Sequence, residues 1–286
     1  MKIGLMFINA GPFGNPELLA HLATTAERCG FESMWTVEHV VVPQDYKSAY
    51  PYSSSGKMPG GEDTPIPDPV LPLAYIAGIT KKIRLGTGVM ILPQRHPLYV
   101  AKEMATLDVL SGGRAMLGIG SGWLQEEFAA LGIDFHTRGA RTDEAIKSLR
   151  SLWREDASAF HGKHFNFGPV KSYPKPLQKG GVPIHVGGHS EAAARRAGRL
   201  GDGFFPARGE PDKLKELFAT MKAEAKKAGR NPDSIELSCG GAPQLDYIKM
   251  LADLGVSRVI VAPPGFDPQS LTVGLEKIGN EIIAKL

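Results

Sequence analysis

The stretch from Ile83 to Trp123, IRLGTGVMILPQRHPLYVAKEMATLDVLSGGRAMLGIGSGW, decides the fold class. It contains an apolar run over residues 83–92, a helix-like segment that stops at a Ser-Gly-Gly turn, and a second apolar run over residues 114–122. Both runs are nearly continuous rather than alternating, which is typical of parallel strands covered by helices on their outer side. The stretch therefore predicts a strand–helix–strand unit.

The same alternation of strand and helix repeats along the whole chain of 286 residues, close to the ~250 residues of a typical (β/α)8 barrel. Eight strands followed by helices predict a single TIM-type (β/α)8 barrel domain over residues 1–286, in the α/β class. A stretch rich in Pro, Ser, Gly and Tyr at about residues 42–70 is expected to be an insertion loop over the C-terminal rim. The predicted strands are residues 2–8, 33–39, 83–92, 114–122, 183–188, 203–206, 235–240 and 258–263.

The composition restricts the class of partner. The net charge is only +3 and no basic block is present, so neither nucleic acid nor an anionic membrane is an expected partner. Cys29 and Cys239 lie far apart with no CxxC pair, which indicates reduced thiols and a cytoplasmic location. The expected partner is a small-molecule substrate.

In such a barrel the active site lies at the C-terminal ends of the strands. Strand two ends in Glu38 and His39, and a histidine there can donate, accept or shuttle a proton near neutral pH. Glu38 points the other way along the pleat, so the two side chains need not act as a pair. The alternative for each is a structural, hydrogen-bonded side chain.

Glycines and small polar residues recur at the ends of strands three, four and five, where bare backbone suggests room for a flat ligand or its tail. The last of these ends opens a helix, whose N-terminal N–H groups attract phosphate, and Ser190 there is expected to cap the helix or donate its hydroxyl. The alternative is a tight turn without a ligand, and Arg195 and Arg196 are expected on a solvated helix face. The candidate residues are Thr87, Gly88, Val89, Gly120, Ser121, Gly122, Gly187, Gly188, His189 and Ser190.

Other chemistries have weaker support. His39, His185 and His189 lack the spacing of a metal site, so no metal is expected. None of the predicted strand ends carries the lysine that a Schiff-base enzyme needs. The GIGSGW motif has the wrong spacing for the nucleophile elbow of a serine hydrolase.

The segments GTGVMILPQRHPLYVAKEMATLDVLSGGRAMLGIGSGW, YPKPLQKGGVPIHVGG and AGRLGDGFFP resemble the luciferase-like flavin and deazaflavin oxidoreductases, in particular the coenzyme F-420-dependent branch. The resemblance covers most of residues 1–210. It implies a barrel, often a homodimer, with the tricyclic ring of the cofactor in the barrel mouth.

The resemblance also implies roles for individual residues. Glu38, where the family commonly has aspartate, and His39 would face the ring, and a cis peptide at Gly88–Val89 would back it. Residues 120–122 would line the ribityl chain, and the helix after Gly187 and Gly188 would hold the phosphate.

Three hypotheses follow. The first is an oxidoreductase in which reduced F-420 passes a hydride to a small organic molecule and His39 supplies or steadies the accompanying proton. The insertion, with Tyr46, Tyr50 and Tyr52, would close over the substrate, and Trp123 would form either part of the pocket wall or part of the core. The second is a monooxygenase that uses reduced FMN from a separate reductase. The third is a barrel that binds a phosphorylated ligand without redox chemistry.

Overall fold

A computed structural model describes residues 1–207 and 210–286. Eight parallel strands form a closed barrel, because β1 pairs with both β2 and the last strand, and β3 pairs with β5 to complete the ring. The predicted (β/α)8 fold is confirmed. The barrel strands are β1 (Lys2–Leu5), β2 (Ser33–Thr36), β3 (Arg84–Thr87), β5 (Ala115–Gly120), β8 (Ile184–Gly187), β9 (Gly203–Phe205), β10 (Glu236–Gly240) and β11 (Arg258–Val261).

Three further strands lie outside this ring. The short β4 (Met90–Ile91) continues the line of β3 and pairs with the end of β5. An antiparallel hairpin of β6 (Ser158–His161) and β7 (Asn166–Val170) accounts for the glycine- and proline-rich region before β8.

Helices cover the outside of the barrel with their apolar faces. On the first of them, Leu19, Leu22, Ala23 and Ala26 are buried, and the Asn15 side chain accepts the Leu18 N–H as an N-cap. The α-helices are α1 (Pro16–Arg28), α2 (Leu71–Ile79), α3 (Pro97–Leu110), α4 (Gln125–Ala130), α5 (Arg138–Arg154), α6 (Glu191–Leu200), α7 (Pro211–Lys227), α8 (Leu245–Asp253) and α9 (Pro268–Glu281). Short 3-10 helices span Gly11–Gly14, Leu92–Gln94, Phe135–Thr137, Pro232–Ser234 and Ile283–Lys285.

The second predicted strand ends earlier than expected. It was expected to run to residue 39, but β2 ends at Thr36 because the Asn9 side chain binds the next peptide unit. Asn9 Oδ1 accepts the Val37 N–H at 2.8 Å, and Asn9 Nδ2 donates to the Val37 carbonyl at 2.9 Å. Glu38 and His39 therefore lie in the segment just beyond the strand, still at the C-terminal end of the barrel.

The predicted strand over residues 83–92 is also interrupted. It divides into β3 and β4, with a cis peptide bond between Gly88 and Val89, as the family resemblance implies. In the described part of the chain, no helix has both the length and the apolar character needed to cross a bilayer. The assignment of residues 1–286 to one domain stays a prediction.

Candidate active site

His39 lies at the mouth of the barrel with only 9% of its side chain exposed. Its Nδ1 atom is 3.1 Å from Oε2 of Glu127, and its ring meets Trp123 edge-on at a centroid distance of 5.7 Å. Trp123 follows β5, so the contact joins the ends of two barrel strands. The role of His39 in proton transfer stays a prediction.

Glu127 is the partner of His39 that the sequence did not reveal. It belongs to the first turn of α4 and is almost completely buried. Its Oε1 atom accepts the N–H groups of Val40 at 2.7 Å and Val41 at 3.3 Å, while Oε2 faces His39. One buried carboxylate thus fixes both the imidazole ring and the backbone that follows it.

Glu38 has a different set of partners. Its carboxylate accepts the Ile91 N–H and binds Arg95 through both Nε, at 2.8 Å, and Nη2. Burial raises the pKa of the Glu38 carboxyl, while the Arg95 guanidinium and the Ile91 N–H act in the opposite direction. Its contacts therefore hold β4 and Arg95 in place, and they agree with the expectation that Glu38 and His39 need not act as a pair.

Aromatic rings cross the mouth from His39 to His189. The ring centroid of Trp123 lies 5.5 Å from that of Tyr46 and 5.2 Å from that of Tyr50. The centroids of Tyr50 and Tyr52 are 5.5 Å apart, and those of Tyr52 and His189 are 4.8 Å apart. The insertion therefore brings together the ends of β2, β5 and β8, as expected for a loop over this rim.

Consecutive acidic residues of α4 anchor the insertion. Beside Glu127, Glu126 accepts the N–H groups of Lys47 at 2.6 Å and Ser48 at 3.0 Å, and the Ser48 hydroxyl at 2.7 Å. The Ser48 hydroxyl and these peptide N–H groups lower the pKa of Glu126 to about 2, so it is ionised at neutral pH. The buried Tyr46 lies next to this anchor and accepts the Met58 N–H at 2.9 Å through its hydroxyl.

The glycines at the rim have packing reasons of their own. A Cβ atom on Gly120 would lie 2.6 Å from Val89 Cγ2, and one on Gly187 would lie 2.5 Å from Val89 Cγ1. Contact with the Val89 side chain therefore explains why these two positions lack a Cβ atom. Thr87 is fully buried and donates its hydroxyl to the Gly118 carbonyl at 2.7 Å, a contact that joins β3 to β5.

Two other rim glycines have backbone reasons. Gly122 has a φ of 81° and Gly188 a φ of 118°, in the region that residues other than glycine rarely adopt. Gly188 donates its N–H to the Phe205 carbonyl at 3.0 Å, next to the exposed His189. The contacts of all these glycines with a cofactor stay predictions.

The end of β8 opens helix α6 as the sequence predicts. Ser190 is the N-cap, and its hydroxyl accepts the Ala193 N–H at 3.2 Å. The N–H groups of Glu191 and Ala192 at this end have no intrahelical acceptor, because the first turn of any helix lacks them. The site is open to solvent at His189 and Ser190.

Ser121 is tied to the arginine of α6 that the sequence placed in solvent. Arg196 is buried, donates to Ser121 Oγ at 3.2 Å through Nη1, and pairs with Asp143 through Nε. The expectation of a solvated face is therefore wrong for Arg196, which lies one helical turn beyond the buried Ala193. It holds for Arg195, which is exposed and pairs with Glu191.

The remaining histidine of the predicted set lies elsewhere. His185 is buried inside the barrel, edge-on to Trp35 at 5.7 Å, and burial lowers its pKa to about 4. Among residues 1–207 and 210–286, no cluster of three or more His, Cys, Asp or Glu side chains is placed to hold a metal ion.

Comparison with known proteins gives a consistent result. The luciferase-like monooxygenase family matches residues 7–246. An uncharacterized protein of Mycobacterium tuberculosis is 34% identical over 274 residues, covering 93% of this chain and 94% of that protein. The F420-dependent glucose-6-phosphate dehydrogenase of Amycolatopsis mediterranei is 30% identical over 242 residues, covering 82% of this chain and 67% of that protein.

Among solved structures, the coenzyme F420-dependent tetrahydromethanopterin reductase of Methanopyrus kandleri has a TM-score of 0.78 at 20% identity. The match covers 99% of both chains. At this identity the likeness shows the fold, which is the same closed barrel over the full length.

Proposed function

The chain belongs to the luciferase-like monooxygenase family, and we propose that it is an oxidoreductase that transfers a hydride between reduced coenzyme F-420 and a small organic substrate. The observation that carries the proposal is the position of His39, which is held by Glu127 at the barrel mouth beside the aromatic rings of Trp123 and the insertion. Among the relatives, the dehydrogenase of Amycolatopsis mediterranei is F420-dependent by name.

The residues at the mouth fit a tricyclic ring with a phosphorylated tail. Val89 is partly exposed and lies against Gly120 and Gly187, so it would offer the ring an apolar contact. His39 and Trp123, which contact each other, are also partly exposed. We assign the ribityl chain to residues 120–122, near Ser121.

The phosphate would lie at the start of α6. The exposed His189 and Ser190 leave the first-turn N–H groups open to solvent, and a helix N-terminus favours an anion. Gly188 reaches its positive φ without a side chain, so the backbone there is accessible. Arg195 is an exposed cation one turn into α6, and it pairs with Glu191.

When bound, F-420 supplies the hydride to an unsaturated or carbonyl carbon of the substrate. The protein has to deliver one proton to the neighbouring atom, and His39 is placed to do so. Tyr50, Tyr52 and Trp123 limit the access of water to this proton. Burial raises the pKa of the Tyr50 hydroxyl, so it remains neutral and adds no charge to the pocket. Glu38 acts through Ile91 and Arg95 as a positioning residue.

We further propose that the protein forms a homodimer. Leu71, Tyr75 and Ile79 are exposed at intervals of four residues along α2, and Tyr99 and Leu110 are exposed on the neighbouring α3. An apolar stripe of this kind on a folded chain favours burial against a second copy. Light scattering should give twice the chain mass of 30.7 kDa, and a monomer would contradict the proposal. The expected cytoplasmic location stays a prediction.

Titration with oxidised cofactors tests the main proposal. The fluorescence of F-420 and of FMN would each be followed as the purified protein is added. Binding of F-420 in the micromolar range, with FMN much weaker, is the expected result. Preference for FMN would support the monooxygenase hypothesis with a separate reductase. Failure of both to bind would leave a barrel for another phosphorylated ligand and would overturn the proposal.

A further inference from the structure

The contacts of Glu127 determine more than the position of His39. A neutral imidazole carries its proton on either Nδ1 or Nε2, and the hydrogen bond of one nitrogen decides which. An ionised carboxylate can only accept hydrogen bonds. Because Oε2 of Glu127 lies 3.1 Å from Nδ1 of His39, the proton belongs on Nδ1 and the lone pair on Nε2.

The same carboxylate is also committed to the backbone. Its Oε1 atom accepts the N–H groups of Val40 and Val41, the first residues after His39 and the entry to the insertion. The Glu127 side chain is 2% exposed, so water does not compete for these contacts. The backbone at residues 40 and 41 and the tautomer of His39 therefore depend on the same buried carboxylate.

We infer that Glu127 is a positioning residue that fixes Nδ1–H of His39, so that Nε2 is the atom that exchanges a proton with the substrate. The imidazolium form gives the proton on Nε2 to the substrate and becomes the neutral Nδ1–H tautomer, which takes up a proton on Nε2 again before the next turnover. The consequence for turnover rests on the proposed function, whereas the tautomer itself does not. A carboxylate plays the corresponding part in Ser-His-Asp triads, where its replacement by the amide costs ~10⁴-fold in kcat because the tautomer is wrong.

Glu127→Gln gives a sharp test because glutamine has one acceptor oxygen and one donor NH2 group. The oxygen must take the Oε1 position, since an NH2 group there would face the N–H groups of Val40 and Val41. The NH2 group then faces His39 Nδ1 and donates to it. The variant should therefore move the imidazole proton from Nδ1 to Nε2.

Nitrogen-15 NMR of histidine-labelled protein reads the tautomer directly and needs no cofactor. Spectra would be recorded at a pH about two units above the ordinary histidine pKa of about 6.5. The His39 signal is identified among the eight histidines by its loss in His39→Gln. The expected result is a protonated Nδ1 in the wild type and a proton on Nε2 alone in Glu127→Gln.

Glu126→Gln is the matched control. Glu126 anchors the same insertion at Lys47 and Ser48 but has no contact with His39 among those of the described residues. This variant should leave the tautomer unchanged. A change there as large as in Glu127→Gln would mean that the insertion sets the tautomer, and would overturn the inference.

Two other results would also overturn it: a wild-type spectrum without a proton on Nδ1, or a Glu127→Gln spectrum equal to that of the wild type. The wild-type spectrum keeps the inference testable if the variant does not fold.

With F-420, Glu127→Gln should lose about 10²–10⁴-fold in kcat while its affinity for the cofactor changes little. Unchanged kcat with a switched tautomer would refute the positioning role, while absence of F-420 binding would refute only the proposed function.

Discussion

The two ends of the barrel bury charged side chains in different ways. At the N-terminal end, Arg258 is fully buried and binds Glu32 at 2.7 and 2.8 Å and Glu236 at 2.7 Å. At the C-terminal end, the buried Glu127 has a titratable histidine and two loop N–H groups as partners. At the N-terminal end, the buried guanidinium of Arg258 is neutralised by two carboxylates at strand ends. At the C-terminal end, a partner of Glu127 is a histidine, whose proton can lie on either ring nitrogen.

The difference extends to protonation. Arg258 and Lys2 help to lower the pKa of Glu236 to about 2, and Arg258 lowers that of Glu32, so both remain ionised under ordinary conditions. At the mouth, burial instead raises the pKa of Glu38. The N-terminal end is thus built to keep its charges, which suits stability. At the C-terminal end, burial opposes the ionised form of Glu38, and the carboxylate depends on Arg95 and the Ile91 N–H.

The largest expected effect is the loss of turnover in His39→Ala. Removal of a general acid or base typically costs 10²–10⁴-fold, so kcat with F-420 should fall by about that factor. The thermal midpoint should fall only modestly, because Glu127 loses His39 as a partner but keeps the N–H groups of Val40 and Val41 on Oε1. His21→Ala on α1, whose ring contacts Thr272, is the control and should keep full turnover. Full turnover in His39→Ala would show that His39 does not transfer the proton.

Arg258→Met should reduce the free energy of unfolding by about 3 kcal/mol, because it removes the buried cation of the network. Glu32 then loses the guanidinium that it binds, and Glu236 keeps only Lys2. Urea denaturation of the purified variant measures this loss. In the triple variant with Glu32→Gln and Glu236→Gln, most of the stability should return, since the only charge left without its partner is the exposed Lys2. A loss below about 1 kcal/mol in Arg258→Met would show that this end is not held by its ion pairs.

Acid should act on the same end of the barrel. The pKa of Glu236 is about 2 in the folded protein against an ordinary value of 4.5, so its stabilising contribution is complete above about 4.5. It is lost as the pH falls toward 2. Denaturation measured between these values should show a steep loss of stability that is shallower in Glu236→Gln. Equal slopes in the two proteins would contradict the assignment.

The smallest expected effect concerns the rim glycines. Gly187→Ala should cost about 1–3 kcal/mol of stability, because the added methyl group meets Val89. Val89→Ala in the same chain should recover part of it. Gly168→Ala on the exposed hairpin, where a Cβ meets nothing within 4 Å, is the control. If Gly187→Ala is as stable as the wild type but no longer binds F-420, the glycine serves the ligand rather than packing.

The alternation of apolar runs and helices was sufficient to predict the barrel, because each strand is buried on both sides and each helix covers one of them. Strand ends were less predictable. The early end of β2 depends on Asn9, which lies 28 residues from the peptide unit that it binds. The sequence pattern around residues 33–39 does not show a contact with a residue so distant in the chain.

The site was predictable only in part for the same reason. His39 stands at a strand end, and its place in the chain draws attention to it. Glu127 lies 88 residues away, and in the sequence it is one of two acidic residues in a helical first turn, where helix-dipole stabilisation is explanation enough. A glycine in the sequence also does not show whether it is needed for a ligand or for packing. Gly120 and Gly187 both pack against the side chain of Val89.

Amide hydrogen exchange with and without F-420 tests most directly whether the C-terminal mouth, and not the N-terminal end, is the working end of the barrel. The account predicts slower exchange on binding at residues 39–58, 120–123 and 187–193. Exchange near Glu32, Glu236 and Arg258 should not change. Protection confined to the N-terminal end, or to the outer helices, would contradict the account.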